Sequence, residues 1–170
     1  MSENTLAFLL TTVERFEANS LPVRVFGGWA EELWQIIQPR VHTDIDFLYP
    51  AATFEDLDRY IARTNEFQEI QSKRFSHKRA ILYQQVMIEF LLVQRSNGIY
   101  FTDFFSGQFH LEWPADLFWR RINISGHDLQ IASKQALILY RQHHKQVEQA
   151  YLEFLIATDN SEMKDVSLHD

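Results

Sequence analysis

Cysteine is absent from the 170-residue chain. That excludes disulfides, zinc–thiolate sites, cysteine-ligated iron–sulfur clusters and thiol catalysis. Long apolar runs are also missing; none approaches the roughly 18 residues that a bilayer span needs. The opening residues Met1-Ser2-Glu3-Asn4 lack the basic region of a secretory signal, so the expected setting is cytoplasmic and away from membranes. Positive charge is scarce, with 16 Lys and Arg against 23 Asp and Glu and a formal net charge of −7. Non-specific nucleic-acid binding depends on neutralising phosphates with basic side chains, so this balance argues against it. It leaves room for a local basic pocket and suits a protein that acquires positive charge from bound metal ions. No internal repeat, low-complexity tract or linker interrupts the chain.

Hydrophobic residues make up 46% of the sequence and charged residues 23%. These proportions and the length suit one soluble domain with a real core. Fourteen phenylalanines are first of all core-filling material.

Hydrophobic spacing predicts a helix over Thr5–Ala18, capped by Asn4 or Ser2 and ended by Asn19-Ser20-Leu21-Pro22. A short strand over Val23–Phe26 follows, ending on Gly27-Gly28. Trp29–Ile37 reads as a helix, Asp44–Tyr49 as a strand, and Thr53–Thr64 as a helix with Thr53 as its cap. Segments near Glu69–Phe75, Arg79–Gln84, Val86–Val93, Tyr100–Phe105 and Gln108–Trp113 read as antiparallel strands, with Ser96-Asn97-Gly98 and Ser106-Gly107 as turns. Ile122–Ile124 and Leu129–Ile131 add short strands. Ser133 caps a long helix from Lys134 to about Ile156. The expected architecture is an α+β domain over residues 1–156, with a mixed sheet flanked by helices and a long C-terminal helix. Residues 157–170 read as a flexible polar tail.

Three features carry chemistry. Gly27-Gly28 joins a strand to a helix start, where free N–H groups and close approach favour phosphate oxygens; alone, such a pair marks a turn. In Asp44-Ile45-Asp46 both carboxylates leave one face of a strand. They repel unless a cation lies between them, and hard oxygen ligands suit magnesium or manganese; alone, the pair is a solvated strand end. Glu89 stands in the apolar run from Val86 to Val93, where a charge is costly unless paired or bound to a metal. An edge strand facing water or a buried salt bridge would also explain it. Taken together, the order of the three points to a two-ion site for phosphoryl or nucleotidyl transfer.

Gly27-Gly28-Trp29-Ala30 followed by Arg40-Val41-His42-Thr43-Asp44-Ile45-Asp46 resembles the signature of antibiotic nucleotidyltransferases. These are notably the lincosamide nucleotidyltransferases and the aminoglycoside 2″-adenylyltransferases, within the DNA polymerase β-like superfamily. The motif spans Gly27 to Asp46, and a looser similarity reaches through Ile131-Ala132-Ser133 to about Tyr140. The resemblance implies a nucleoside triphosphate co-substrate held with Mg2+ (or Mn2+) by Asp44 and Asp46. Glu89 would be the third acidic residue, as metal ligand or as base toward an acceptor hydroxyl. Gly27 and Gly28 would cradle the triphosphate, with Arg40 and His42 beside the metal site. Two departures stand out. Glu32 occupies a position usually held by Asp, and the C-terminal part is short, which leaves the antibiotic acceptor open.

The expected function is thus transfer of a nucleoside monophosphate to a hydroxyl of a small, antibiotic-like molecule. The alternatives are a toxin-type enzyme acting on RNA or protein, and a catalytically silent nucleotide-binding relative. So little C-terminal mass is compatible with an acceptor pocket completed in a homodimer. The basic stretch Lys73, Arg74, His77, Lys78 and Arg79 is either a triphosphate contact or a solvated hairpin. His143-His144 does not form a chelating pair, because neighbouring residues on a helix diverge by about 100°. Trp113-Pro114 and Phe118-Trp119 read first as packing.

Overall fold

The computed structural model describes residues 3–167, with side chains to residue 160. The first helix, α1 (Leu6–Ala18), starts at Thr5, whose hydroxyl accepts the Phe8 N–H at 3.2 Å. Thr5 therefore takes the capping role assigned to Asn4, and Ser2 lies outside the described residues. Next come β1 (Arg24–Phe26), α2 (Gly27–Leu33), β2 (Asp44–Pro50) and α3 (Glu55–Arg63). Thr53 still accepts the Glu55 N–H at 3.2 Å, although the helix cap itself is Phe54.

The strand meander runs through β3 (Phe67–Glu69), β4 (Lys78–Tyr83), β5 (Val86–Ser96), β6 (Ile99–Phe104) and β7 (Phe109–Glu112). The expected strand over Glu69–Phe75 is replaced by the end of β3 and a 3-10 turn, Gln71–Lys73. Arg74 explains the departure from extended chain, because it turns back to Glu69 at 2.5 Å and Asp58 at 3.2 Å. The chain closes with β8 (Arg120–Ile124), β9 (His127–Ile131), α4 (Lys134–Gln142) and α5 (His144–Ser167).

The single long helix expected from Lys134 to Ile156 is broken at His143. There the ring Nδ1 lies 2.8 Å from the Leu139 carbonyl oxygen, and the His143 carbonyl starts the next helix by accepting the Val147 N–H. The last residues of α5 fall in the stretch expected as a tail; side chains beyond residue 160 lie outside the described residues.

The fold class is the expected one, α+β with a mixed sheet. The strands run in the order β3-β4-β5-β2-β1-β9-β8, and β6 and β7 extend the far end of β5. The central β2 and β5 are parallel, in a register that sets Asp46 beside Glu89 and Ile45 beside Ile88. Alternation then sorts the two faces. Ile45, Phe47, Ile88 and Phe90 are fully buried on the face where Phe47 and Phe90 meet Phe16 of α1, while Asp44, Asp46 and Glu89 emerge on the other side.

The buried face centres on Phe16 of α1, fully enclosed. Its ring meets Phe47 and Phe90 edge-on at 6.1 and 5.3 Å and stacks on Phe67 at 5.8 Å. This cluster anchors the strands that carry the carboxylates. Phe16→Ala is expected to lower the free energy of unfolding by about 3–5 kcal/mol, read as a shifted urea midpoint with an unchanged denaturant slope.

Candidate active site

Local chain geometry concentrates charge on one sheet face. Asp46 of β2 lies opposite Phe26 of β1 and beside Glu89 of β5. Across β5, the residue facing Glu89 is Ala80, whose small side chain leaves the space above the carboxylate open. Gly27 follows β1 directly, in the left-handed region at φ +62°. A Cβ placed there would come within 2.3 Å of Asp46 Oδ2. At Gly28 a Cβ would lie 2.8 Å from the Arg40 guanidinium and 3.0 Å from His42 Nδ1. The glycine pair thus lets the acidic strand and the Arg40–His42 loop close onto the start of α2.

That loop is pinned from two sides. Glu32 Oε1 accepts the Arg40 N–H at 2.8 Å and lies 3.0 Å from His42 Nε2. The buried His42 ring packs on Trp29 with centroids 4.1 Å apart. Glu32, the departure from the usual Asp, therefore holds the loop with its longer arm. Asn4 adds a clasp that the sequence reading used only as a helix cap. Its amide nitrogen donates to the carbonyls of His42 at 3.2 Å and Asp44 at 2.8 Å, and its oxygen accepts the Trp29 indole N–H at 3.1 Å.

The electrostatics are those of carboxylates crowded together in a partly buried site. Burial pushes the Asp46 carboxyl up to about 8, reinforced by the charges of Asp44 and Glu89 and by a hydrogen bond to Glu89. Burial likewise raises Asp44, with Glu89 adding to it. Glu89 is different. Burial pushes it up, but Lys78 and Lys73 outweigh that together and hold it below the usual glutamate range. Their Nζ atoms lie 3.0 Å and 2.9 Å from its two oxygens. Among the alternatives for Glu89, the salt bridge is thus present; an edge strand is not, since β5 lies between β2 and β4.

The basic stretch divides by direction. Lys73 and Lys78 turn to Glu89, while Arg74 and Arg79 turn to Asp58 on α3, Arg79 at 2.7 Å. Among the described residues, no three His, Asp or Glu side chains form a ready-made metal cage. A magnesium ion seldom uses one; it takes one or two carboxylates and completes its shell with substrate phosphates and water. The Asp44–Asp46 pair fits that role.

A cavity of about 580 Å³ opens beside Asp46, Glu89, Lys73 and Lys78. It continues between the sheet, the β6–β7 hairpin and α5. His77 and Tyr140 line it, and nothing in the sequence reading singled out Tyr140. Burial raises the Tyr140 phenol to about 12, aided by the nearby charges of Asp46 and Glu89, so it stays protonated. His77 is 4% exposed, its Nδ1 accepts the Phe105 N–H at 3.0 Å, and burial lowers it to about 3. Trp113 is buried with its indole N–H on Thr102 Oγ1 at 2.9 Å, a packing role. Trp119, by contrast, is 72% exposed.

No protein-family model matches the sequence, and no curated protein matches it. Solved structures do. The lincosamide antibiotic adenylyltransferase LnuA, bound to lincomycin, superposes with a TM-score of 0.65 at 15% identity, over 88% of this chain and 98% of that one. ANT(2″)-Ia, in complex with adenylyl-2″-tobramycin, gives 0.58 at 15% identity over 95% and 97%. A candidate nucleotidyltransferase from Thermotoga maritima gives 0.53 at 14% identity over 99% and 98%. The fold is a nucleotidyltransferase fold. The first two structures come from the same two groups of proteins that the Gly27–Asp46 signature resembles.

Two outcomes follow from this geometry. Gly27→Ala is expected to cost about 1–3 kcal/mol of stability, since it strains a left-handed backbone and drives a methyl into Asp46; thermal unfolding measures it. His77 stays neutral in the fold while the unfolded chain protonates near pH 6.5. Its contribution is therefore complete above pH 6.5 and declines as pH falls toward 3. Between pH 7 and pH 5 the wild type should lose about 2 kcal/mol more than His77→Gln in urea unfolding.

Proposed function

We propose that the protein is a magnesium-dependent nucleotidyltransferase that moves a nucleoside monophosphate from a nucleoside triphosphate to a hydroxyl of a small molecule. The observation that carries this reading is the parallel register of β2 and β5, which crowds Asp44, Asp46 and Glu89 onto one face beside a cavity. The sequence signature and the fold likeness to two antibiotic-modifying adenylyltransferases support it.

Asp44 and Asp46 would hold the metal, and Glu89 lies close enough to complete the site. When bound, magnesium would offset the charge of the triphosphate and of the carboxylates and polarise the α-phosphate. The protein's own groups do the rest. The acceptor oxygen forms a bond to the α-phosphorus, the bond from that phosphorus to the α–β bridging oxygen breaks, and pyrophosphate leaves with the electron pair. The acceptor proton passes to Glu89, which Lys73 and Lys78 keep ionised and so able to take it. Gly27 and Gly28 give the triphosphate close access to the backbone at the head of α2. Arg40, exposed and beside Gly28, would meet its outer phosphates.

Calorimetric titration with ATP, GTP, CTP and UTP tests the reading. At least one is expected to bind only with magnesium present, and Asp46→Asn should weaken that binding roughly tenfold or more, about 1.4 kcal/mol. At pH 8.5, above the raised Asp46 value, the same variant should melt at a higher temperature than the metal-free wild type, because it removes a crowded buried charge. Failure of all four nucleotides to bind with magnesium would overturn the proposal.

A further inference from the structure

The cavity beside Glu89 has two unlike ends. At one end its carboxylates are Asp46 and Glu89, with Lys73 and Lys78 set against Glu89. Gly27 also lines the cavity, whereas Asp44, Gly28, Arg40 and His42 do not. The other end is an aromatic bay built by Phe75, Phe104, Phe105 and Tyr151 around His77. The His77 ring lies 4.5 Å from Phe105, 5.0 Å from Phe104 and 5.8 Å from Phe75, nearly parallel to the last. Tyr151 of α5 closes the bay against Phe105 at 5.1 Å.

Within this bay the tautomer of His77 is set by its neighbour. Nδ1 accepts the Phe105 N–H, so in the neutral ring the hydrogen is on Nε2. His77 as a whole is 4% exposed, but Nε2 is not one of the fully buried unpaired side-chain atoms among the described residues. Nε2–H therefore reaches the cavity that His77 lines, where a ligand or water can accept its hydrogen.

Resting on the transferase reading above, we infer that this bay is the acceptor-binding site. Its occupant is an uncharged alcohol with a flat or apolar ring and a hydrogen-bond acceptor for His77 Nε2–H, rather than a polycationic sugar. Position supports the acceptor role: a molecule filling the bay brings a hydroxyl to Glu89, while the side bearing Gly28, Arg40 and Asp44 stays free for the triphosphate. Charge supports the substrate class. Two lysines, both paired with Glu89, stand against the two carboxylates at this end, so several ammonium groups would meet no net negative charge and would face Lys73 and Lys78. The aromatic walls reward ring burial instead.

The test uses 7-hydroxycoumarin at pH 6.5, a neutral ring with a carbonyl and a hydroxyl, followed by its fluorescence on the full chain. The wild type should bind it, and tobramycin should not displace it. His77→Phe keeps the ring but removes the donor, and should weaken binding about tenfold. His77→Gln retains an N–H and should stay within about threefold of wild type. Tyr151→Ala, at a side chain 39% exposed whose removal spares the core, should weaken binding severalfold even if His77→Phe folds poorly.

No binding of the probe, equal binding by His77→Phe, or displacement by tobramycin would overturn the inference. So would competitive displacement by magnesium–ATP, which would make the bay a nucleobase site. Magnesium-dependent ATP binding, measured on the same samples, separates the two failures. Its presence with no probe binding removes only the acceptor class. Its absence with probe binding intact removes the transferase reading, and the acceptor role with it.

Discussion

Everything in the site depends on one register, the parallel pairing of β2 with β5 that sets Asp46 beside Glu89. A slip of β2 by one residue would bring Ile45 to the open face and turn Asp44 and Asp46 toward the core. The slip is resisted from the other side of the sheet, where Ile45 and Ile88 are fully buried and Phe47 and Phe90 pack on Phe16. Hydrophobic packing on one face thus maintains electrostatic crowding on the other. Burial, reinforced by this crowding, raises Asp46 and Asp44, while two lysines hold Glu89 down.

The residues around this pair divide into those that bring it together and those that balance it. Gly27 and Gly28 make the approach possible by having no side chain. Glu32, Trp29 and Asn4 fix the loop that leads into β2. Lys73 and Lys78 come from beyond the sheet's centre and neutralise Glu89. Removing any of these would change the shape or charge of the site without touching Asp44 or Asp46.

Much of this was legible in the sequence, because much of it is local. The period-two placement of Asp44 and Asp46, the glycine turn and the apolar run around Glu89 each report on a few consecutive residues. The α+β class followed from the order of such segments. What escaped was set by distant contacts. The 3-10 turn at Gln71–Lys73 replaces a strand where Arg74 folds back to Glu69 and Asp58. The helix break at His143 rests on a side chain competing for the Leu139 carbonyl. Nothing in the spacing of Lys73 and Lys78 shows that both would reach one carboxylate while Arg74 and Arg79 face another helix. Tyr140 enters the site through distant contacts, where α4 packs against Phe26, Phe104 and Trp113.

The Asn4 clasp has a practical side. One amide near the start of the chain ties together the Trp29 indole and the backbone on either side of Thr43. The approach to the acidic strand is therefore sewn to residues that are commonly altered when a protein is produced. Insertions or tags placed beside Asn4 would pull on the loop that leads into β2. Handles for purification or surface immobilisation belong elsewhere, for instance on the exposed Ser96-Asn97-Gly98 turn, where even a Cβ added at Gly98 meets open space.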